Sequence, residues 1–411
     1  MKNLSKLKAP ILAIILTIGS ALVNAQSIKS LDALEFSPEG ILFAGDKISG
    51  AIHAFDLSSE TRFAEQFEIN AYNIDAQVAA ALGTASGNLK INDMTVHPIS
   101  GEVFISVTRG HGIDALPALI KVNAESQLQI VDLTSLKSTS QSLNKLPDGS
   151  QNFIVRGTMA PPTIKEIEKS KVPMRTLSIM DIEYHKGEVF VAGITNENFC
   201  SVLRRMPYPF TGEESVSNIE MFHIAHDQYE TRAPIRSFLI ENIDGIDQMV
   251  ASYTCSPLVL IPLDELKNGA KVKARTIGDM GNGQPIDMVS FSMQGNNMIY
   301  VTSNSRTPRV ISVGGLEKAK VYTEKDFERG GKSDMDILPI GPMGKPVMFT
   351  GSALQVALLN PMQFATIRRD PDTGSMDLES VSIYFANKMN NLHAEMDFPQ
   401  YAKEHENDKK K

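Results

Sequence analysis

Tryptophan is absent from the 411 residues, only 2 cysteines occur, and aromatic residues make up 7% of the chain. Two cysteines leave room for one disulfide, and their spacing excludes a CxxC redox pair and a CxxCH haem attachment. Basic residues are in the minority. Forty Lys plus Arg against 48 Asp plus Glu give a net charge of −8, which argues against binding to nucleic-acid phosphates. After the N-terminus no apolar run approaches the ~18 residues of a membrane helix, so a soluble body is expected. Several motifs are missing too. GGKS at Gly330–Ser333 lacks the upstream glycine of a phosphate loop. No G-x-S-x-G nucleophile elbow occurs. Asp370–Glu379 has the composition of a calcium loop without its spacing and reads as a hairpin turn. The 19 methionines read as core filling.

The N-terminus carries a targeting signal. Lys2, Lys6 and Lys8 precede an apolar stretch from Pro10 to Val23, and Val23-Asn24-Ala25 offers small residues for cleavage before Gln26. Residues 1–25 are therefore expected to be a signal peptide, 26–402 the folded body, and 403–411 a charged, disordered tail. Export to the periplasm or outside makes Cys200 and Cys255 candidates for pairing.

The body is built on a repeat. Units open at Asp32, Asp93, Asp181, Arg236, Asp287 and Asp336, separated by 61, 88, 55, 51 and 49 residues. Each has a short apolar strand, a glycine (Gly40, Gly101, Gly187, Gly245, Gly295, Gly344) and a second strand. Glycine suits a tight hairpin because φ > 0 costs it nothing. A four-stranded propeller blade takes ~40–50 residues. The pattern predicts an all-β chain folded as a single β-propeller of six blades, or seven if the long gap hides one. That gap contains residues 134–176, read as a helical and loop insertion with a strand at Phe153–Val155 and a short helix at Thr163–Lys169. A helix is expected at Ala71–Leu82, blade one's outer strand at Arg62–Ile69, and a closing strand at Ser380–Phe385.

The stretch FSPEGILFAGDKISGAIHAFDL, Phe36 to Leu57, is similar to blades of the broad β-propeller group that includes NHL, YVTN and SMP-30/gluconolactonase-like proteins. The resemblance extends over most of the body. It implies architecture, and a ligand face where the innermost strands begin. No motif carries gluconolactonase metal ligands onto particular residues here, so it implies no activity.

Two constellations follow. The openers Asp32, Asp93, Asp181, Arg236, Asp287 and Asp336 should ring one mouth of the central channel. They read either as a site for a divalent cation such as calcium or a cationic ligand, or as acceptors for backbone N–H groups of neighbouring loops. The second constellation is Cys200 and Cys255 with the loop FHIAHDQYETRAPIR. Cys200 and Cys255 fall at equivalent turns and read as a disulfide. The alternative is a copper or zinc site using Cys200, Cys255, His223, His226 and His111, with Met280 as a further donor. Tyr229 and Arg232 of the same loop join the openers as ligand-binding candidates. The expected function is a monomeric cell-envelope protein that binds a small molecule or a protein at the channel mouth, without nucleic acid. The alternative is a metal-dependent hydrolase, lactonase or copper oxidoreductase using the same face.

Overall fold

The computed structural model describes residues 28–61, 68–112, 115–155, 170–254, 256–280, 284–304, 307–326, 341–342, 345–346, 353–370 and 372–384. They form a six-bladed β-propeller. Blade I contains Leu34–Phe36, Ile41–Asp46 and Ala51–Asp56. Blade II contains Leu89–Val96, Val103–Arg109, Leu116–Val122 and Leu128–Ile130. Blade III runs through Asp181–His185, Glu188–Ile194, Ser201–Pro207 and Ser215–His223, extended by Gln228–Glu230 and Lys271–Lys273. Blade IV contains Ile235–Ile243, Ile246–Tyr253, Pro257–Pro262 and Arg275–Asp279. Blade V contains Pro285–Met293, Asn296–Ser303, Arg309–Ser312 and Lys345–Pro346. Blade VI contains Ala353–Asn360, Gln363–Arg369 and Met376–Ser382.

Middle strands of the blades are apolar on both faces rather than alternating. Glu188–Ile194 is buried at every position after the first, and Pro257–Pro262 throughout. The cause is packing, since each blade is covered on both faces by its neighbours. The first hairpins of blades I to V turn at glycines with φ between 77° and 85°. In blades III, IV and V the residue before the glycine (Lys186, Asp244, Gln294) is also left-handed, which gives the doubly positive turn that matches strand twist.

The blades do not follow one another around the ring in chain order. The inner strand of blade I packs against those of both II and III, and the inner strand of VI packs against those of V and II. The spatial order is I, III, IV, V, VI, II. Apolar cores confirm each joint. Leu34, Leu42 and Phe55 of I meet Phe104 and Leu119 of II. Met94 and Ile105 of II meet Ile367 and Leu378 of VI.

Two strands are exchanged to make this possible. Blade VI is closed by Asn70–Ala71, which pairs with Leu378 and Glu379. Blade I is closed by Ser138–Ser142, which pairs with Ala51 to Phe55. The chain thus makes three strands of I, closes VI, builds II, returns to close I, and only then enters III. Between closing VI and building II lies the helix Ile74–Ala81, whose Ile74 and Val78 are buried in the II/VI core.

The long gap therefore holds an added segment that closes blade I, followed by the hairpin Asn152–Val155 and Ser170–Pro173. No seventh blade occurs among the described residues. Thr163–Lys169 lies outside them. Three expected boundaries move. Blade I takes its outer strand from Ser138–Ser142 rather than from Arg62–Ile69, of which residues 62–67 lie outside the described set. The stretch around Ser380 is the end of blade VI's third strand, and the closing strand comes from the N-terminal part. Asp336 and Gly344 lie outside the described residues, but blade VI starts at Ala353, and Lys345–Pro346 completes blade V. Local patterning marks a strand; it does not identify its partner.

Candidate functional site

Asp93, Asp181 and Asp287 occupy the same register on the inner strands of II, III and V. Their Oδ1 atoms accept the N–H of the next residue: Met94 at 2.9 Å, Ile182 at 3.0 Å and Met288 at 2.8 Å. Their Oδ2 atoms accept an N–H from the adjacent blade: Leu34 at 2.7 Å, Phe238 at 2.8 Å and Val356 at 2.9 Å. In the spatial order these blades alternate with I, IV and VI, where Ala33, Ser237 and Gln355 hold the equivalent place. Each aspartate is thus a clip from one blade to the next, which is the backbone-acceptor reading of the sequence. Asp32 and Arg236 stand one residue earlier on their strands, nearer the mouth.

Asp32, Asp93, Asp181, Arg236 and Asp287 do converge. They line one cavity of about 520 Å³ at the start of the inner strands, together with Lys47, Lys90 and Arg369. A second cavity of about 280 Å³ continues down the axis and shares Asp93, Asp181 and Asp287. The three clips form a waist between the two spaces. Below them Glu35 and Glu183 line the second cavity. Alternation along a strand puts residues i and i+2 on one face, so Asp181 and Glu183 both face the axis.

These acids bind protons more tightly than ordinary carboxyls. Burial, then the charge of Asp181, pushes Asp93 up to about 7 against the N–H bonds from Leu34 and Met94 and the charge of Arg236. Burial pushes Asp181 up to about 6. Asp287, Glu35 and Glu183 are raised well above the ordinary range, first by burial and then by neighbouring carboxylates: Asp93 and Asp181 for Asp287, Glu183 and Asp181 for Glu35, Asp181 and Glu241 for Glu183. Two N–H bonds would ordinarily lower a carboxyl; here desolvation and like charge win. The aspartate oxygens do not form a compact cation cage: the described residues hold one tight cluster of metal-ligating types, and it lies elsewhere.

The cations at the mouth differ in state. Lys47 is paired with Asp32. Among the described residues the side chain of Arg236 has no hydrogen-bond or ion-pair partner, and neither has that of Lys90. Burial first, then the charges of Lys47 and Arg236, lowers the Lys90 ammonium's pKa. Gln355 donates from Nε2 to the Asn92 carbonyl at 3.0 Å and to Asp93 Oδ1 at 3.2 Å.

The second constellation divides. His223, His226 and Glu230 come together at the outer end of blade III. His111 stands apart on blade II, 3.3 Å from the Gly87 carbonyl. Cys200 is a free, buried thiol whose Sγ lies 3.7 Å from the Arg232 carbonyl, and it is not in the histidine cluster. Cys255 lies outside the described residues. Met280 is buried and accepts from Ser252 Oγ at 3.5 Å. Tyr229 and Arg232 do not line the channel cavity. The Lys273 ammonium sits 3.6 Å from the Tyr229 ring, and the Arg232 guanidinium lies 5.1 Å from the Phe153 ring. Long side chains on this loop find local aromatic partners instead of reaching the axis.

Lys90, Gln355, Glu35 and Glu183 were not singled out from the sequence. The glutamates were readable, since each lies two residues from a clip position on a strand facing the axis. Lys90 and Gln355 needed the true register.

The fold and site define a six-bladed propeller with an acidic channel and a cationic mouth. No family model and no curated protein matches the chain. Among solved structures it is similar to the extracellular region of plexin A4, at 8% identity and TM-score 0.38 over 86% of this chain and 39% of that one. It is similar to a PQQ-bound aldose sugar dehydrogenase from Streptomyces coelicolor, at 11% identity and TM-score 0.33 over 86% and 94%. It is also similar to the arabinanase Arb43A of Bacillus subtilis, at 11% identity and TM-score 0.30 over 72% and 96%. The chain spans 39% and 50% of the two plexin chains it matches. At such scores the likeness says nothing of ligand or activity. Among the described residues no helix is long and apolar enough to cross a membrane.

Proposed function

We propose that this protein is an exported binding protein whose ligand is a small, anionic, hydroxyl-bearing molecule held at the channel mouth. One observation carries the reading: the side chains of Arg236 and Lys90, without partners among the described residues, face a cavity of about 520 Å³. That volume falls within the ~300–1,000 Å³ range of small-molecule sites. An anionic group would supply the missing partner, and a planar carboxylate or phosphate suits guanidinium best. Asn92, Gln355 and the clip acids offer donors and acceptors for hydroxyl groups. The leader at residues 1–25 belongs to the same reading, and a mature N-terminus at Gln26 would be its signature.

A second reading is an enzyme using acid–base chemistry at the same mouth. Asp93, at about 7, is poised near neutrality where proton transfer is most effective. Its engagement with two backbone N–H groups favours the binding reading.

The test is calorimetric titration with sugar acids, dicarboxylates and sugar phosphates against neutral sugars. An anionic class should bind, and Arg236→Ala should weaken it by on the order of tenfold or more. Equal binding of neutral sugars, or an unchanged affinity in Arg236→Ala, would overturn the proposal.

A further inference from the structure

The geometry points to a divalent-metal site, suited to zinc, built from His223, His226 and Glu230 at the outer end of blade III and separate from the channel mouth. His223 ends the strand Ser215–His223, and His226 ends the single turn Ile224–His226. Asp227, with φ 50° and ψ 43°, reverses the chain. The returning strand then pairs Glu230 with Met221. A hairpin of this shape returns the carboxylate to the two imidazoles.

The spacing is that of a ligand set. Glu230 Oε1 is 2.6 Å from His226 Nδ1 and 3.1 Å from His223 Nδ1. One ligand atom from each residue falls within 4.8 Å of the others. With metal–ligand bonds of ~2.0–2.2 Å, a tetrahedral site separates its ligand atoms by roughly 3.4 Å. The observed cluster needs little opening to admit an ion.

A second, independent observation points the same way. His223 is fully buried, yet among the described residues neither ring nitrogen has a hydrogen-bond partner. Its Nδ1 is close to Glu230 without the orientation of a hydrogen bond, while Glu230 Oε1 already takes His226 and the Gln228 amide at 3.1 Å. Buried imidazoles rarely leave both nitrogens idle. A metal ion would bond one of them.

The donor chemistry selects the ion. Two imidazoles and one carboxylate suit zinc or cobalt(II), whereas calcium wants more oxygens and copper(I) wants sulfur. Three protein ligands leave a fourth position. His226 is half-exposed, so that position opens to solvent and to an external ligand. The hairpin is also tied to blade IV, since Thr276 Oγ1 donates to the Phe222 carbonyl at 2.8 Å. A metal here would fix the joint between blades III and IV.

The experiment uses the full mature chain stripped of metal. Zinc titration followed by calorimetry should give one equivalent with micromolar or tighter affinity. Cobalt(II) should show the intense visible bands of a four-coordinate site. His226→Ala and Glu230→Gln should each weaken zinc binding by on the order of 100-fold with far-UV circular dichroism unchanged. Cys200→Ser should leave it unchanged. Because His223 is buried and its variants risk misfolding, the exposed His226 decides the matter. Absence of saturable zinc binding, wild-type affinity in His226→Ala, or a loss confined to Cys200→Ser would each overturn the site. None of these results bears on anion binding at the mouth, which Arg236→Ala reads alone.

Discussion

Asp93 is under two opposed influences. Its oxygens take N–H bonds that favour the charged form, but its depth in the channel and the acids around it favour the neutral one. Folding favours the neutral form relative to the unfolded chain, and the sign of the pH effect follows. Asp93 rises from 3.8 to about 7 on folding. Its contribution to stability is complete below the unfolded value, because both states then hold the proton. It is lost as pH climbs through the folded value, because the unfolded chain ionises first. Asp181 acts likewise up to about 6. The melting temperature should therefore fall between roughly pH 4 and 7. Asp93→Asn should flatten that slope. Thermal melts across the range check this, and an equally steep slope in the variant would show that Asp93 does not carry it. The acid repeat was legible in the sequence because aspartate recurred at a constant distance from a turn glycine. The one-residue offset of Asp32 and Arg236 was not, because only the ladder with the neighbouring strand fixes register.

Among the elements, the segment returning from blade II to III carries more than its sequence suggests. Ser138–Ser142 is polar and mostly exposed, with little that marks a strand, and yet it closes blade I. Beyond it the segment is anchored to blade III. Asn144 donates its backbone N–H and its Nδ2 to Glu214 Oε2 at 2.9 and 2.6 Å. Glu214 in turn meets Arg204 at 2.9 Å, with side-chain exposures of 1% and 0%. Arg175 adds a fan of donations to the carbonyls of Lys47, Ile48, Ser49 and Pro147. Removing one partner of a buried ion pair leaves an uncompensated charge and costs ~3–5 kcal/mol. Glu214→Ala should lose about that much in urea denaturation, and replacing both residues by apolar ones of similar size should recover most of it. A loss under ~1 kcal/mol would mean that water reaches Arg204. These anchors were invisible in the sequence because they join residues on different elements, up to 128 positions apart.

For the whole molecule, the first hairpins of blades I to V could be read from turn glycines and apolar runs, but the order of the blades around the ring could not. Blade VI was misplaced for a specific reason. Its inner strand lacks an aspartate at the clip position, and its first turn, Asn360 to Gln363, lacks glycine. The exchanged strands make stability a property of the ring. Leu143 N–H reaches the Gly50 carbonyl at 2.9 Å, and alternation then directs the Thr139 N–H into the blade I ladder. Thr139→Pro should cost ~3 kcal/mol and lower one cooperative calorimetric transition as a unit. Two separated transitions would mean that the blades melt independently.

The strand exchange also sets a timetable for the newborn chain. Blade I waits with an open edge until residue 142 has been made, and Asn70–Ala71 waits for a partner that arrives only at residues 378 and 379. Until its partner is made, each unpaired border is available to any passing strand, which is where association with other chains begins. The polar character of Ser138–Ser142, and the two-residue length of the closing strand Asn70–Ala71, keep that waiting period safe.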